Sequence, residues 1–305
     1  MRKLFLTTVI PLLILSCKKD DDVNPAEVRL QKVESVNPGA AAYTSVLDYD
    51  QMGMLRSISG IAANGTSSIT TTIAYTGFDI VITPAATHSP SYDGTVIIRY
   101  TMDGAGNPLK RIQTSIDIFS PPNNSQYTYT TDTTVYEYSN GLLAKSTGSK
   151  YDSVWFQPAG SGIQITVTKT TSNAIYTNTG NRLTKITRNS NSMTVVNNSG
   201  SIHNFPLTSV ETSTFGYTKG YSNQTDFTNA TLLSELGLIF DPTYPINKAY
   251  SNFPDQLVYS ITKNSSGQII TDGSTTNVGI GYNRYGFISD FDYSGQYRKN
   301  LIYNK

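Results

Sequence analysis

Cysteine, histidine and tryptophan are almost missing from this 305-residue chain, which holds one Cys, two His and one Trp. With a single sulfur no internal disulfide can form even in an oxidising compartment, so stability has to come from packing and sheet hydrogen bonding. The histidines, His88 and His203, have no metal-type partner nearby in sequence, and the lone thiol offers no zinc or facial-triad spacing. No Gly-x-Ser-x-Gly elbow occurs, and Gly279-Ile280-Gly281 sits in strand context without the helix a phosphate loop requires. Charge is scarce at 15% Asp, Glu, Lys and Arg, too little to suggest the basic face of a nucleic-acid binder. No cofactor, metal or nucleic acid is implied.

Long apolar runs are also scarce, and the one at the start is informative. Met1-Arg2-Lys3 is a short cationic opening, Leu4 to Leu15 is almost wholly apolar, and Ser16 precedes Cys17. This reads as a lipoprotein signal over residues 1–16: a positive start, a 12-residue apolar stretch too short to cross a bilayer core of about 30 Å, and a small residue before the cut. Cleavage would make Cys17 the first mature residue, acylated on its sulfur and its amino group. At roughly 0.8 kcal/mol per buried CH2, one acyl chain holds a protein marginally and two or three hold it almost permanently. The expected partner is thus a membrane, reached through lipid on Cys17, with residues 17–30 as a flexible tether and 31–305 as one domain. Lys18, Lys19, Asp20, Asp21 and Asp22 resemble the export signal of Bacteroidetes surface lipoproteins, which implies an outer-membrane address facing outwards. Removing Arg2 and Lys3 lowers Lys+Arg from 23 to 21 against 22 Asp+Glu, a mature charge near −1.

What is plentiful is Tyr (21) and Gly (23), among many Ser, Thr and Asn. Thr, Tyr, Val and Ile suit a pleated, half-buried surface, whereas Gly, Asn and Asp mark turns. Strand-like runs occur at Ser68 to Tyr75, Phe78 to Thr83, Thr95 to Thr101, Thr133 to Tyr138, Gly162 to Thr170 and Ser192 to Asn197. A unit recurs beneath them: Tyr, about three polar residues, Gly, then an aliphatic residue. It runs from Tyr49 through Gly53 to Leu55, from Tyr138 through Gly141 to Leu143, from Tyr176 through Gly180 to Leu183 and from Tyr282 through Gly286 to Ile288, with a longer copy from Tyr100 to Ile112. Tyr100, Tyr138, Tyr176 and Tyr217 lie 38, 38 and 41 residues apart, a period that two hairpins of roughly nine-residue strands would fill. The tyrosine would end an outgoing strand, the glycine would supply the positive φ of a tight turn, and the aliphatic would begin the return. Leu55 to Ile58, Leu183 to Ile186 and Ile288 to Phe291 are three apart, so either both sheet faces are covered or a bulge resets the register. One stretch departs from the pattern: Ala230, Leu232, Leu233 and Leu236 form an apolar stripe closed by Gly237, which predicts a short helix over 228–237 covering a sheet face or plugging one end.

These Tyr-x-x-x-Gly-x-Leu units resemble the YD repeats of the RHS-like family, in the form found in Bacteroidetes surface lipoproteins of unknown function with a porin-like fold. The resemblance rests on Tyr49 to Ile58, Tyr138 to Leu143, Tyr176 to Ile186 and the closing stretch through Tyr282 to Phe291, although an aspartate follows the tyrosine only at Asp50. It implies an architecture and an address, and no chemistry.

The expected fold is mainly β: an antiparallel meander of repeated hairpins curled into an open or closed barrel-like sheet, with one short helix. Carboxylates offer the single route to catalysis. Asp290 and Asp292 share one face of a strand at an i, i+2 separation of about 7 Å, within the range of inverting glycoside hydrolases, though alternating acids on a solvent face are ordinary. Asp103 to Asn107 resembles a calcium loop, but a long hairpin turn explains it better. Asp132-Thr133-Thr134 and Asp152-Ser153-Val154 resemble O-glycosylation acceptors of exported Bacteroidetes proteins. Tyrosine rings interleaved with Thr, Asn and Gln would serve cross-strand pairing or the stacking of a neutral sugar. The function expected is a non-enzymatic envelope lipoprotein binding a neutral glycan or an envelope protein, with a polysaccharide hydrolase as the alternative. A chain that is itself an outer-membrane barrel is disfavoured by strands polar on both faces.

Overall fold

The computed structural model describes residues 29–36, 43–61, 65–89, 91–120, 124–158, 162–198, 200–218, 235, 254–265, 268–283, 287–293 and 297–304. These form β1 (Leu30–Val36), β2 (Tyr43–Tyr49), β3 (Leu55–Ile61), β4 (Ser67–Thr76), β5 (Asp79–Pro84), β6 (Thr87–Ser89), β7 (Tyr92–Met102), β8 (Pro108–Phe119) and β9 (Asn124–Ser139). They continue with β10 (Leu142–Pro158), β11 (Gln164–Thr179), β12 (Arg182–Asn198), β13 (Ser201–Gly216), β14 (Gln256–Ser265), β15 (Gln268–Tyr282), β16 (Ile288–Tyr293) and β17 (Tyr297–Tyr303). Each strand pairs antiparallel with its successor, β5 passes directly to β7, and β17 returns to β1, so 16 strands close into a barrel. The short β6 pairs with β7 alone and stands outside the count. Full closure leaves no exposed sheet edge.

Two expectations need correction. Of the two sheet forms expected, the closed one is present; the expected helix over 228–237 is not among the elements that the described residues form, and of that stretch only Glu235 is described. The period of about 38 residues is filled by one hairpin of long strands, not by two of short ones: β9, β11 and β13 have 16 residues, β10 and β12 have 17. Thr133 to Tyr138 and Ser192 to Asn197 are pieces of these strands, and Gly162 to Thr170 joins β11 from Gln164 onward. The Ser/Thr/Asn tracts between them carry no apolar alternation, yet they pair without a break, as in Thr171↔Asn191, Ser172↔Ser190 and Asn173↔Asn189. Closure on both sides supplies the hydrogen bonds that hold such polar segments extended.

The turns of the repeat units all lie at one end of the barrel, and there the repeat becomes intelligible. Gly53, Gly106, Gly141 and Gly180 all have positive φ, and Asn140 joins Gly141 in a two-residue turn of the kind that matches strand twist. In each turn the residue after the returning aliphatic is a bulge: Arg56 after Leu55, Leu109 after Pro108, Ala144 after Leu143, Thr184 after Leu183 and Ser289 after Ile288. The bulge turns both members of the three-apart pairs to one face, so Leu55 and Ile58, and Ile288 and Phe291, are all buried. A bulge also frees the carbonyl before it from the ladder. The next strand's tyrosine donates to that carbonyl: Tyr49 to Leu30 (2.5 Å), Tyr75 to Leu55 (2.9 Å), Tyr138 to Pro108 (2.8 Å) and Tyr217 to Leu183 (2.7 Å). At Leu143 the donor is Asn178 Nδ2 (3.0 Å). The repeat is thus a stitch from each hairpin to the next.

The inner face at this end is apolar. One cluster holds Leu30, Leu55, Ile82, Tyr100, Ile288 and Phe291 among others; a second holds Tyr136, Leu143, Ala174, Tyr176, Leu183 and Phe215. Beyond them the long strands of β9 to β13 run on to the opposite rim, where both faces carry half-buried and exposed side chains.

Candidate functional site

Strand alternation assigns every residue of the long wall to a face, because a buried residue fixes the side of its i±2 neighbours. Inward from Tyr136 on β9 lie Thr134, Asp132, Thr130, Thr128 and Gln126, and their partners on β10 are Ser146, Gly148, Lys150, Asp152, Val154 and Phe156. The inner wall above the apolar base is therefore polar. Hydroxyls pair across it, Thr168 with Thr194 (2.9 Å) and Thr170 with Ser192 (2.8 Å), and Thr130 donates to Asp152 (2.8 Å), which also meets Lys150 Nζ (2.9 Å). Arg188 faces Glu211 at 3.5 Å on the same wall.

At the boundary between apolar base and polar wall lies a buried ion pair. Arg111 on β8 donates through Nε (2.9 Å) and Nη2 (2.7 Å) to the two oxygens of Glu235, and stands 3.5 Å from Asp132. The Tyr100 hydroxyl donates to the same carboxylate. Side-chain exposures of 12% for Arg111 and 6% for Glu235 make this a desolvated pair, costly to open on one side only. Burial works against the charge on Arg111, yet the bonds and the charge of Glu235 outweigh it and raise its pKa. Burial pushes the Tyr136 phenol well above its ordinary range, with Tyr176 adding to the rise.

The outer face of the long wall changes character toward the rim. Register aligns Ile118, Tyr127, Trp155, Ile165, Asn197 and Ile202 in one row across six strands, and Ile116, Tyr129, Ser153, Val167, Val195 and Asn204 in the next. Trp155 is 50% exposed, and its indole is oriented by a bond from Nε1 to Ser153 Oγ (3.0 Å). A cavity of about 200 Å³ opens here, lined by Ile118, Ser125, Tyr127, Trp155, Gln157 and Ile163 among others. A wider hollow of about 550 Å³ lies at the seam of β1, β2 and β17, beside Arg29, Lys32, Asp48 and Asn304.

Cys17, the residues Lys18 to Asp22 and Gly286 lie outside the described residues. Tyr49 and Tyr138 spend their hydroxyls on the stitches, Tyr100 on Glu235 and Tyr176 on Ser146 at 3.2 Å, while Tyr282 packs against the first cluster. The repeat tyrosines thus point into the barrel; the exposed rings are others, Tyr127 and Trp155 among them. Asp290 and Asp292 face outwards, on the side opposite buried Phe291, and Asp290 accepts from Arg298 Nη2 and from Ser289 Oγ, both at 2.9 Å. The Asp103 turn is closed by its own donors: Oδ1 accepts from the amides of Ala105 (2.9 Å) and Asn107 (2.8 Å), leaving that loop explained without calcium. Asp50 caps its turn in the same way through the amides of Met52 and Met54, and Asn283 does so through that of Phe287. Asp132 and Asp152 lie mid-strand on the inner wall. His88 and His203 lie in strands, β6 and β13, and His88 meets Asp93 at 2.8 Å. Among the described residues no group of three or more His, Cys, Asp or Glu could hold a metal. Sequence reasoning missed the Arg111 pair, whose partner is 124 residues away, and the rim surface, although the chain's sole Trp between Val154 and Phe156 was a visible signal.

No protein-family model matches the chain, so the YD-repeat resemblance stands without family support, and no curated protein matches it. Among solved structures it is similar to a porin-like protein from Bacteroides uniformis ATCC 8492, at 13% identity over 74% of this chain and 96% of that one, with a TM-score of 0.23. A likeness that slight transfers neither fold nor function.

Proposed function

We propose that this is a non-catalytic barrel of the bacterial outer envelope, held to the membrane by lipid on Cys17 and presenting its long wall to a neutral polar ligand, a glycan by preference. The observation that carries the first half is the outer surface of the short-strand wall. Lys32, Glu34, Asp79, Asp290, Asp292, Arg298 and Asn300 alternate there with the buried residues of β1, β5, β16 and β17. A barrel that spans a bilayer keeps an apolar band about 25 Å tall all the way round, and this wall interrupts any such band. The anchor must then come from elsewhere, and the acylated cysteine supplies it.

One contact supports an orientation for the anchored barrel. The Arg29 amide donates to Asn304 Oδ1 (2.6 Å) at the end that carries the repeat turns, so the first described residue lies there. The 12 Cα–Cα steps from Cys17 to Arg29 reach at most about 43 Å when extended. A short anchor at this end supports a barrel whose repeat-turn end lies toward the bilayer and whose rim lies away from it. Supporting the ligand class, the inner wall offers hydroxyl and amide groups with mutually compensated charge, which suits an uncharged polyol better than an ion. Catalysis by Asp290 and Asp292 has less support, since Asp290 is already engaged by Arg298 on the outer surface. Mass spectrometry of the protein from cell envelopes tests the anchor: the expected N-terminal peptide begins at Cys17 and carries diacylglycerol and an acyl chain. An unmodified N-terminus at Met1 would overturn it.

A further inference from the structure

We infer that the outer rim of the long wall holds a saccharide-binding site centred on Trp155, with Tyr127 beside it and Gln157 and Ser125 as its polar contacts. This deepens the glycan reading and rests on it. Tyr127 and Trp155 are directly opposed on β9 and β10, and the next outward pair toward the rim is Ser125 opposite Gln157. Two aromatic side chains thus occupy neighbouring positions at cross-strand spacing, followed immediately by an amide and a hydroxyl. A pyranose needs that combination: its axial C–H face packs on an aromatic ring while its equatorial hydroxyls need donors and acceptors at the edge.

Three observations favour this occupant over hydrocarbon. The indole is fixed by Ser153 rather than left to rotate, and a pre-oriented platform loses less freedom on binding. The cavity of about 200 Å³ holds the volume of about seven waters at about 30 Å³ each, the size of one sugar ring rather than of a lipid tail pair. The surface lies at the end opposite Arg29, so on a barrel anchored as proposed it points away from the bilayer. The ring of Ile118 and Ile163 around it shields the contact from water as the apolar border of a binding patch does.

Trp155 is the only tryptophan in the chain, so its fluorescence reports this site alone. The full-length protein in detergent is titrated with maltohexaose, cellohexaose and xylohexaose, and its retardation is followed in native gels containing the matching polysaccharides. The expected result is a saturable emission change with at least one sugar, and retardation weakened about tenfold or more by Trp155→Ala and by Tyr127→Ala, with Gln157→Ala intermediate. Circular dichroism confirms that the variants fold. If wild type and Trp155→Ala are retarded equally, the rim site is wrong while glycan binding elsewhere on the barrel stands. If no sugar binds wild type, both readings fall. Quenching of Trp155 by brominated phosphatidylcholine vesicles, without response to sugar, would make the rim a lipid contact and overturn the inference.

Discussion

Changing Tyr138 to Phe removes one oxygen from the molecule and tests the stitch directly. The hydroxyl donates to the carbonyl of Pro108 at 2.8 Å, and that carbonyl has lost its ladder partner to the bulge at Leu109. The ring stays, so burial and packing are unchanged, and the cost is that of an acceptor left partly unsatisfied. For a part-buried group this is about 1–2 kcal/mol. In a domain of this size, with about 2–4 °C per kcal/mol, the melting temperature should fall by about 2–8 °C. Tyr49, Tyr75 and Tyr217 make the same bond on other hairpins. Separated sites add, so the fourfold Phe variant should lose about 4–8 kcal/mol, a large part of the 5–15 kcal/mol of a typical domain. Tyr127→Phe, on the exposed outer face, serves as control and should change stability by no more than about 0.5 kcal/mol. Urea unfolding followed by far-UV circular dichroism reads all of these. A Tyr138→Phe midpoint equal to wild type, or a control as damaging as the stitch variants, would refute the reasoning.

Other expectations follow from single contacts. Arg111→Met or Glu235→Leu alone should cost about 3–5 kcal/mol by stranding a buried charge. The double variant should recover much of that in the same urea assay. Gly141→Ala should cost about 1–2 kcal/mol for its positive φ of 76°. Gly53→Ala should cost a similar amount for its φ of 80°, because the Arg29 guanidinium that a methyl would meet there ends a flexible side chain and can move aside. Asp50 is held below the ordinary carboxylate value of 3.8 by bonds from the Met54 amide and from Arg56, against a smaller opposing effect of burial. For Asp103 burial is the largest influence and pushes upward, but bonds from Asn107, Ala105 and Gly106 together outweigh it and leave a lowered value. Lowered carboxylates stabilise the fold above about pH 4 and lose that contribution as acid protonates them. Asp50→Asn and Asp103→Asn should therefore unfold with a shallower acid limb in a pH titration of melting temperature.

The turns were the legible part of this chain. Asn140-Gly141 and Asp103 to Gly106 announce positive φ and a carboxylate cap through local chemistry alone, and the three-apart aliphatics demanded either a bulge or two covered faces before any bulge was seen. Strand length was hidden. Thr170 to Ser172 and Ser190 to Ser192 have polar side chains on both faces, so no apolar period marks them as extended; what holds them is pairing on both sides within a closed sheet. Closure itself is a pairing of β1 with β17, 275 residues apart at the Arg29 to Asn304 contact, and no local pattern encodes it. The tyrosines were visible as a repeat, but their direction was not, because the choice between an exposed ring and a stitched one depends on a carbonyl of the neighbouring strand. Trp155 passed unnoticed for a related reason: its place beside Tyr127 and Gln157 exists only once β9 and β10 are in register.

We propose that lipid at Cys17, rather than the barrel wall, holds this protein to the membrane. Replacing residues 1–17 by an ordinary cleavable secretory signal tests it in one fractionation. The barrel should then be found in the soluble fraction without detergent, folded by circular dichroism. A folded barrel that still pellets with the membrane and resists alkaline carbonate would contradict the claim.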